Sequence, residues 1–198
     1  MSQGAHLNRV RHATFRALLG ARSNVDGYVR ERDDFYPTPP EATESLLSVE
    51  QFDGPIWEPA CGDGAISKVL EAAGHEVYSS DLVARGFGLS PVDFLMEWHP
   101  RAPNIVTNPP FKLAVPFVKK AVELSTGKVA MLLKIAFLEG IERAAMFKST
   151  PLARVHVFSK RVTFRSASRG EVNGNGMMAF AWFVWEHGYR GKPTLGWL

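Results

Sequence analysis

The stretch Trp57-Glu58-Pro59-Ala60-Cys61-Gly62-Asp63-Gly64 decides how the rest of the chain is read. A short strand-like run, Pro55 to Pro59, enters a turn in which two glycines stand one residue apart. Such glycines let the backbone bend tightly and approach a ligand, as in nucleotide-binding α/β folds. Beyond the turn, Ile66, Val69, Leu70 and Ala73 recur at helical spacing, and Gly74 stands where a helix C-cap would. No lysine-serine/threonine pair follows the glycines, so a phosphate-binding loop of the P-loop kind is disfavoured.

Working outward, strands and helices alternate. Glu76 to Ser80 and Asn104 to Thr107 read as strands. Pro116 opens a helix with Phe117, Val118, Ala121, Val122 and Leu124 inward, closed by Gly127. Val129 to Leu133 is a continuous buried-strand run, Glu139 to Phe147 is helical, Arg154 to Phe158 is a strand, and Met178 to Trp185 is a long apolar strand. Met177 to Trp185 and Trp197 read as packing residues. This alternation implies an α/β three-layer fold with a mainly parallel sheet. The polar connection 159–176 is long for a compact domain, and such connections often carry function.

Asp81 lies 17 residues beyond Gly64, at the end of the next strand. That is close to the ~20-residue offset at which an acid takes ribose hydroxyls. The turn and the acid together point to a nucleoside cofactor. With those residues in place, Glu58-Pro59-Ala60-Cys61-Gly62-Asp63-Gly64 resembles motif I of class I S-adenosylmethionine-dependent methyltransferases, in the variant common among DNA amino-methyltransferases. Tyr36-Pro37-Thr38-Pro39-Pro40-Glu41 resembles their motif X. The resemblance implies a Rossmann-like fold with an antiparallel strand near the C-terminus, and S-adenosylmethionine as cofactor, released as S-adenosylhomocysteine. It also implies a cofactor site. Thr38, next to Tyr36, would bond the methionine carboxylate. Glu58 would face the methionine amino group through the turn of Ala60, Cys61, Gly62 and Gly64. Asp81, with Leu82, would take the ribose, and Asp93-Phe94 would bracket the adenine. A loop cap is the other reading of Asp93. Cys61 reads as a small packing residue, because no histidine or acid stands in sequence to activate it.

Asn108-Pro109-Pro110-Phe111 follows the strand Ile105-Val106-Thr107. Two prolines and an aromatic at a strand's C-terminal end make a stiff projecting loop, where α/β sheets hold their ligands. An aromatic amine is a poor nucleophile because its lone pair is delocalised into the ring. Acceptors on its two hydrogens restore nucleophilicity, and the Asn108 side-chain oxygen and the Pro109 carbonyl can supply both. Pro110 pins the loop, and Phe111 offers a flat face to an extruded base. The chemistry expected is direct in-line transfer by positioning and electrostatics, with no metal. The order of motifs X, I and IV, with asparagine first in motif IV, is similar to phage- and prophage-type DNA adenine-N6 methyltransferases, a likeness running over about residues 35–198. Asn108 would also border the cofactor. Phe111 replaces the commoner tyrosine of that motif.

The chain is 198 residues long, with 45% hydrophobic residues and a formal net charge of +3. A globular protein is expected, and the single Cys61 fits a reducing, cytoplasmic setting. No apolar run is long enough to cross a bilayer, and no signal-peptide core follows Met1. An arginine-rich, acid-free start can mimic a transit peptide. The expectation is instead a retained basic arm, 1–34, before a catalytic domain, 35–198, without a separate target-recognition domain. Arg9, Arg11, Arg16 and Arg22 in that arm, with Lys148, Arg154, Lys160, Arg161, Arg165 and Arg169, flank a near-neutral middle and suit a polyanion. DNA is favoured over RNA as partner, with no membrane and no oligomeric state implied. Base readout would fall to the arm and to loops 112–115, 135–140 and 159–176, so recognition should be short or loose. The competing readings are an RNA amino-methyltransferase acting on ribosomal guanine-N2 or transfer-RNA adenine-N6, a protein glutamine-N5 methyltransferase, and a silent nucleic-acid binding module.

Overall fold

The computed structural model describes residues 35–164 and 178–198. The basic arm, Met177, and Arg165 and Arg169 of the long connection lie outside the described residues. In chain order the elements are α1 (Pro40–Leu47), β1 (Ile56–Glu58), α2 (Ala65–Ala72), β2 (Val77–Ser79), β3 (Asn104–Thr107), α3 (Ala114–Leu124), β4 (Lys128–Lys134), α4 (Ile141–Ser149), β5 (Leu152–Val157), β6 (Phe180–Glu186) and β7 (Thr194–Trp197). The strands form one sheet in the order β2-β1-β3-β4-β6-β5-β7. β1 runs parallel to β2 and β3, β3 to β4, and β5 to β7, while β6 runs antiparallel to both β4 and β5.

The period-2 alternation of the strands sorts their side chains into two layers. Ile105, Val129, Met131, Leu133, Phe183 and Trp185 pack with Phe117, Val118 and Ala121 of α3 and Met146 of α4. Val106, Ala130, Leu132, Trp182 and Val184 pack with Leu46 of α1 and Ile66 and Leu70 of α2. Helices therefore cover both faces, which is why β4 and β6 read as unbroken apolar runs. The indole of Trp182 keeps its polarity satisfied by donating to the Ala42 carbonyl at 2.8 Å.

At the edge where the parallel strands begin, Glu50 is buried beneath Lys128, Arg154 and His156. Lys128 Nζ donates to it at 2.9 Å, His156 Nε2 lies 2.9 Å from it, and Arg154 also pairs with Glu186. Burial alone would raise the Glu50 carboxyl, but hydrogen bonds from His156, Arg154 and Lys128 outweigh it and hold the group at about 2.

The structure departs from the sequence reading in several places, among them β5, which starts two residues earlier than expected, and β6, which starts two residues later. α1 was not anticipated; its Pro40 stands at the first helical position, where a missing N–H costs nothing. α3 begins at Ala114, with Pro116 inside its first turn, where proline is still tolerated. The helix expected over Glu139 to Phe147 runs Ile141–Ser149. β7 adds a parallel edge strand, and Trp197 on it is 67% exposed rather than packed. No helix among the described residues is long and apolar enough to cross a membrane.

Candidate active site

Because β1, β2 and β3 run parallel, the segments leaving them emerge on one edge of the sheet, and one cavity lies there. Gly62 and Gly64 adopt positive φ, 57° and 83°. The rings covering them are Phe35 and Phe87, which stand where a side chain at either position would lie. Asp81, leaving β2, binds the turn from the other side: Gly62 N donates to Oδ2 at 2.8 Å and Val83 N to Oδ1 at 2.7 Å.

Glu58, at the end of β1, is 1% exposed and accepts from Ser67 N at 2.8 Å and from the Ser67 hydroxyl. Burial pushes its carboxyl up to about 8; the Ser67 hydrogen bonds oppose the rise, and the nearby charges of Asp81 and Asp63 add to it. Burial likewise pushes the Cys61 thiol up to about 12, with Glu58 and Asp81 adding to the rise. That makes Cys61 a packing residue rather than a nucleophile.

Asp93 caps the turn Phe94–Met96, Leu95 N donating to its Oδ1 at 3.1 Å, and it also lines the cavity. Phe94 is nearly all core, its ring 5.0 Å from those of Trp57 and Phe117, with part of it reaching the cavity wall.

Asn108 lines the same cavity. Its Nδ2 donates to the Thr38 hydroxyl at 3.0 Å and to the Tyr36 carbonyl at 3.4 Å. A carbonyl can only accept, so these contacts orient the amide and leave Oδ1 as the other atom. That oxygen is shielded from solvent and accepts from no described residue. Asp63 Oδ1 is in the same condition, and Asp63 lines the cavity too. A buried acceptor without a donor costs about 1–3 kcal/mol, so two at one cavity mark a place where donors are missing.

Of the residues expected from sequence, Tyr36, Thr38, Glu58, Ala60, Cys61, Asp81, Leu82, Asp93, Phe94, Asn108 and Pro110 come together on this cavity. Gly62 and Gly64 form the turn behind its wall. Pro109 is buried outside the lining. Phe111 faces away, packed on Tyr36 and Phe180 with the Lys134 ammonium 4.8 Å from its ring centroid. Phe35, Asp63 and Arg85 were missed. Asp63 lay between two glycines already singled out, and Arg85, over the Phe35 ring at 4.1 Å, had no pattern to announce it. Glu58, Asp63, Asp81 and Asp93 against Arg85 give the cavity an acidic lining, suited to a ligand with positive charge. Among the described residues no group of three or more histidine, cysteine, aspartate or glutamate side chains is arranged to hold a metal.

No protein-family model and no curated protein matches the chain. Solved structures do. A putative RNA methyltransferase from Pyrococcus horikoshii superposes with a TM-score of 0.59 at 17% identity, over 89% of this chain and 98% of its own. The modification subunit of a putative type I restriction enzyme from Vibrio vulnificus gives 0.56 at 15% identity, over 96% of this chain and 49% of its own. The fold is the Rossmann-like fold of methyltransferases. In that fold the cavity stands at the strands' carboxyl ends, where open α/β sheets bind their ligands.

Proposed function

We propose that this chain transfers a methyl group from S-adenosylmethionine to the exocyclic amine of a nucleobase, with adenine N6 in DNA the leading substrate. The observation that carries this reading is Asn108 Oδ1, a buried acceptor left over after the amide nitrogen is committed to Thr38 and Tyr36. The methyl donor also fits the acidic cavity, because it carries a sulfonium and an ammonium. Bound there, it supplies a methyl group already activated on sulfur.

The chain's own residues then divide the work. Thr38 accepts from Asn108 and keeps its hydroxyl hydrogen to donate to the methionine carboxylate. Glu58 and Asp63 face the cationic amine, and Asp81, anchored by Gly62 and Val83, takes the ribose hydroxyls. Asp93 and Phe94 hold the adenine. Asn108 Oδ1 and the Pro109 carbonyl draw on the two hydrogens of the target amine and so raise the availability of its lone pair. Phe111, packed on Tyr36 and Phe180 away from the cavity, braces the loop that carries Asn108 and Pro109.

Neighbours named for RNA and for a restriction modification subunit fit about equally well, so fold alone does not favour either nucleic acid. The motif order supports DNA, while the basic flanks speak against a protein substrate and suit either nucleic acid. The test is transfer of tritiated methyl onto DNA, RNA and cell extract side by side, followed by mass spectrometry of digested product. N6-methyladenine in DNA is expected. Label found only in protein, or only in RNA, would overturn the substrate assignment.

A further inference from the structure

Between β4 and α4 the chain makes a turn that is firmly built yet apolar on its outer side. Phe137 is buried, its ring 5.7 Å from that of Phe183 and 5.8 Å from that of Phe147, and it pins the turn Ile135–Leu138 to the core. The Arg143 guanidinium lies 5.4 Å from the Phe137 centroid, and its Nε donates to the Glu139 carbonyl. Gly140 passes beneath that guanidinium at φ 117°, where a side chain would meet it at 3.0 Å. These contacts hold the turn in one shape. On its outer side, Leu138 and Ile141 turn aliphatic side chains to water, 43% and 94% exposed. Among the described residues Ile141 is the most exposed large apolar side chain. α4 is anchored on the core by Met146, so burial of Ile141 is no part of what holds that helix.

The turn stands next to the loop that carries Asn108. β3 and β4 are parallel, with Thr107 opposite Met131, so both segments leave the sheet on one edge. Lys134 Nζ lies 4.8 Å from the Phe111 centroid, and one cavity is bordered by Phe111 on one side and by Ala136, Phe137 and Arg143 on the other. A paired base whose amine is to reach Asn108 has to leave its stack, and the step it vacates loses its stacking. Apolar side chains placed between base steps hold such a gap open, and they gain burial that water denies them. We propose that Leu138 and Ile141 form an apolar wedge that enters a nucleic-acid duplex at the target base and fills the vacated step while the base occupies the site at Asn108. The proposal rests on the methyltransferase reading for its target, and goes beyond it in making the substrate double-stranded. A turn already locked by Phe137, Gly140 and Arg143 loses little freedom on insertion. A protein side chain or a free nucleoside has no stack for it to enter.

The experiment compares the full chain with its Leu138→Ala/Ile141→Ala variant on native and heat-denatured genomic DNA, which offer the same sequences paired and unpaired. Tritiated methyl transfer by the variant should fall about tenfold in kcat/KM on native DNA, the order expected when the burial of an aliphatic side chain is lost. On denatured DNA it should stay at the wild-type level. Leu138→Met/Ile141→Met, which keeps the apolar bulk, should recover the rate on native DNA. Melting temperature and calorimetric cofactor affinity should not move, because both side chains face water. An equal fall on both forms of DNA overturns the wedge. So does no fall on either, the result a docking surface for a protein would give, and so does a wild type that labels denatured but not native DNA. In each of these the methyltransferase reading stands. A second measurement needs no transfer. Duplexes with a single 2-aminopurine amid randomised flanks should brighten on binding the wild type, as the analogue leaves its stack, and stay dim with the double alanine variant. That difference, with no transfer by the wild type to any nucleic acid, sinks the methyltransferase reading alone. Equal brightening with both proteins sinks the wedge alone.

Discussion

Glu50 and Glu58 are both buried glutamates, at opposite edges of one sheet, and their surroundings push them in opposite directions. Glu50 lies where parallel strands begin, under Lys128, Arg154 and His156, and stays ionised down to about 2. Glu58 lies where they end, with Ser67 alone among the described residues donating to it and Asp63 and Asp81 close by, and holds its proton up to about 8. One carboxylate is met by cations; the other has none against it among the described residues. Among the described residues, one glutamate is met by three basic side chains and the other only by the amide and hydroxyl of Ser67.

The largest effect that would sharpen this contrast lies at the ligand edge. Asn108→Ala should lower turnover by about 10²–10³, as loss of one transition-state acceptor does, with cofactor affinity and melting temperature nearly unchanged. Steady-state kinetics beside calorimetry would show it, and a wild-type rate would remove Asn108 from the chemistry. Next comes Glu50→Gln, which takes the anion from Lys128 and His156 and leaves Arg154 with Glu186 alone. The expected loss is about 2–3 kcal/mol of unfolding free energy, below the cost for a fully buried pair because Lys128 and Arg154 still reach water. Denaturant titration measures it. A variant as stable as wild type would mean that the cluster is idle.

Glu58→Gln should do the converse. Cofactor affinity should weaken by about 1.5–3 kcal/mol while the protein without cofactor loses little stability, since the native group is mostly protonated at neutral pH. Equal damage to both would erase the distinction between the two glutamates. The finest effect is in pH dependence. The lowered Glu50 contributes stability that is present above its unfolded value, near 4.5, and lost as pH falls towards 2. The raised Glu58 contributes stability that is present below 4.5 and lost as pH rises through about 8. Chemical denaturation from pH 3 to 9 should therefore show the acid limb flattened in Glu50→Gln and the alkaline decline flattened in Glu58→Gln. Crossed assignments would break the comparison.

Much of the ligand edge was legible in the chain because its parts are local. The glycine turn, Asp81 and the proline loop each announce a backbone event at a strand end, and parallel topology then brings strand ends together. Phe35 and Arg85 were not legible, since their placement follows from the packing of one ring against Gly62 and leaves no periodic trace. Glu50 was invisible for a related reason. Its partners Lys128, Arg154 and His156 lie on strands far along the chain, and only the sheet order makes them neighbours. β7 escaped because Thr194-Leu195-Gly196-Trp197 is short, exposed and broken by a glycine, none of which reads as a strand. Trp197 looked like packing by residue type alone, and residue type says nothing about which face an edge strand turns to water.

The insertion of β6 between β4 and β5 bears on how the molecule is made. Among the described residues, β5 and β7 have no bond of their own to β4 and reach the rest of the sheet only across Phe180–Glu186. During synthesis the first four strands and β5 leave the ribosome before the strand that unites them. Until it arrives, β4 has an open edge bearing Val129 to Leu133, a surface that invites pairing with other chains. Completion of the sheet therefore waits for Phe180–Glu186. A stop codon shortly before residue 180 would release a sticky polypeptide for chaperones and proteases to clear.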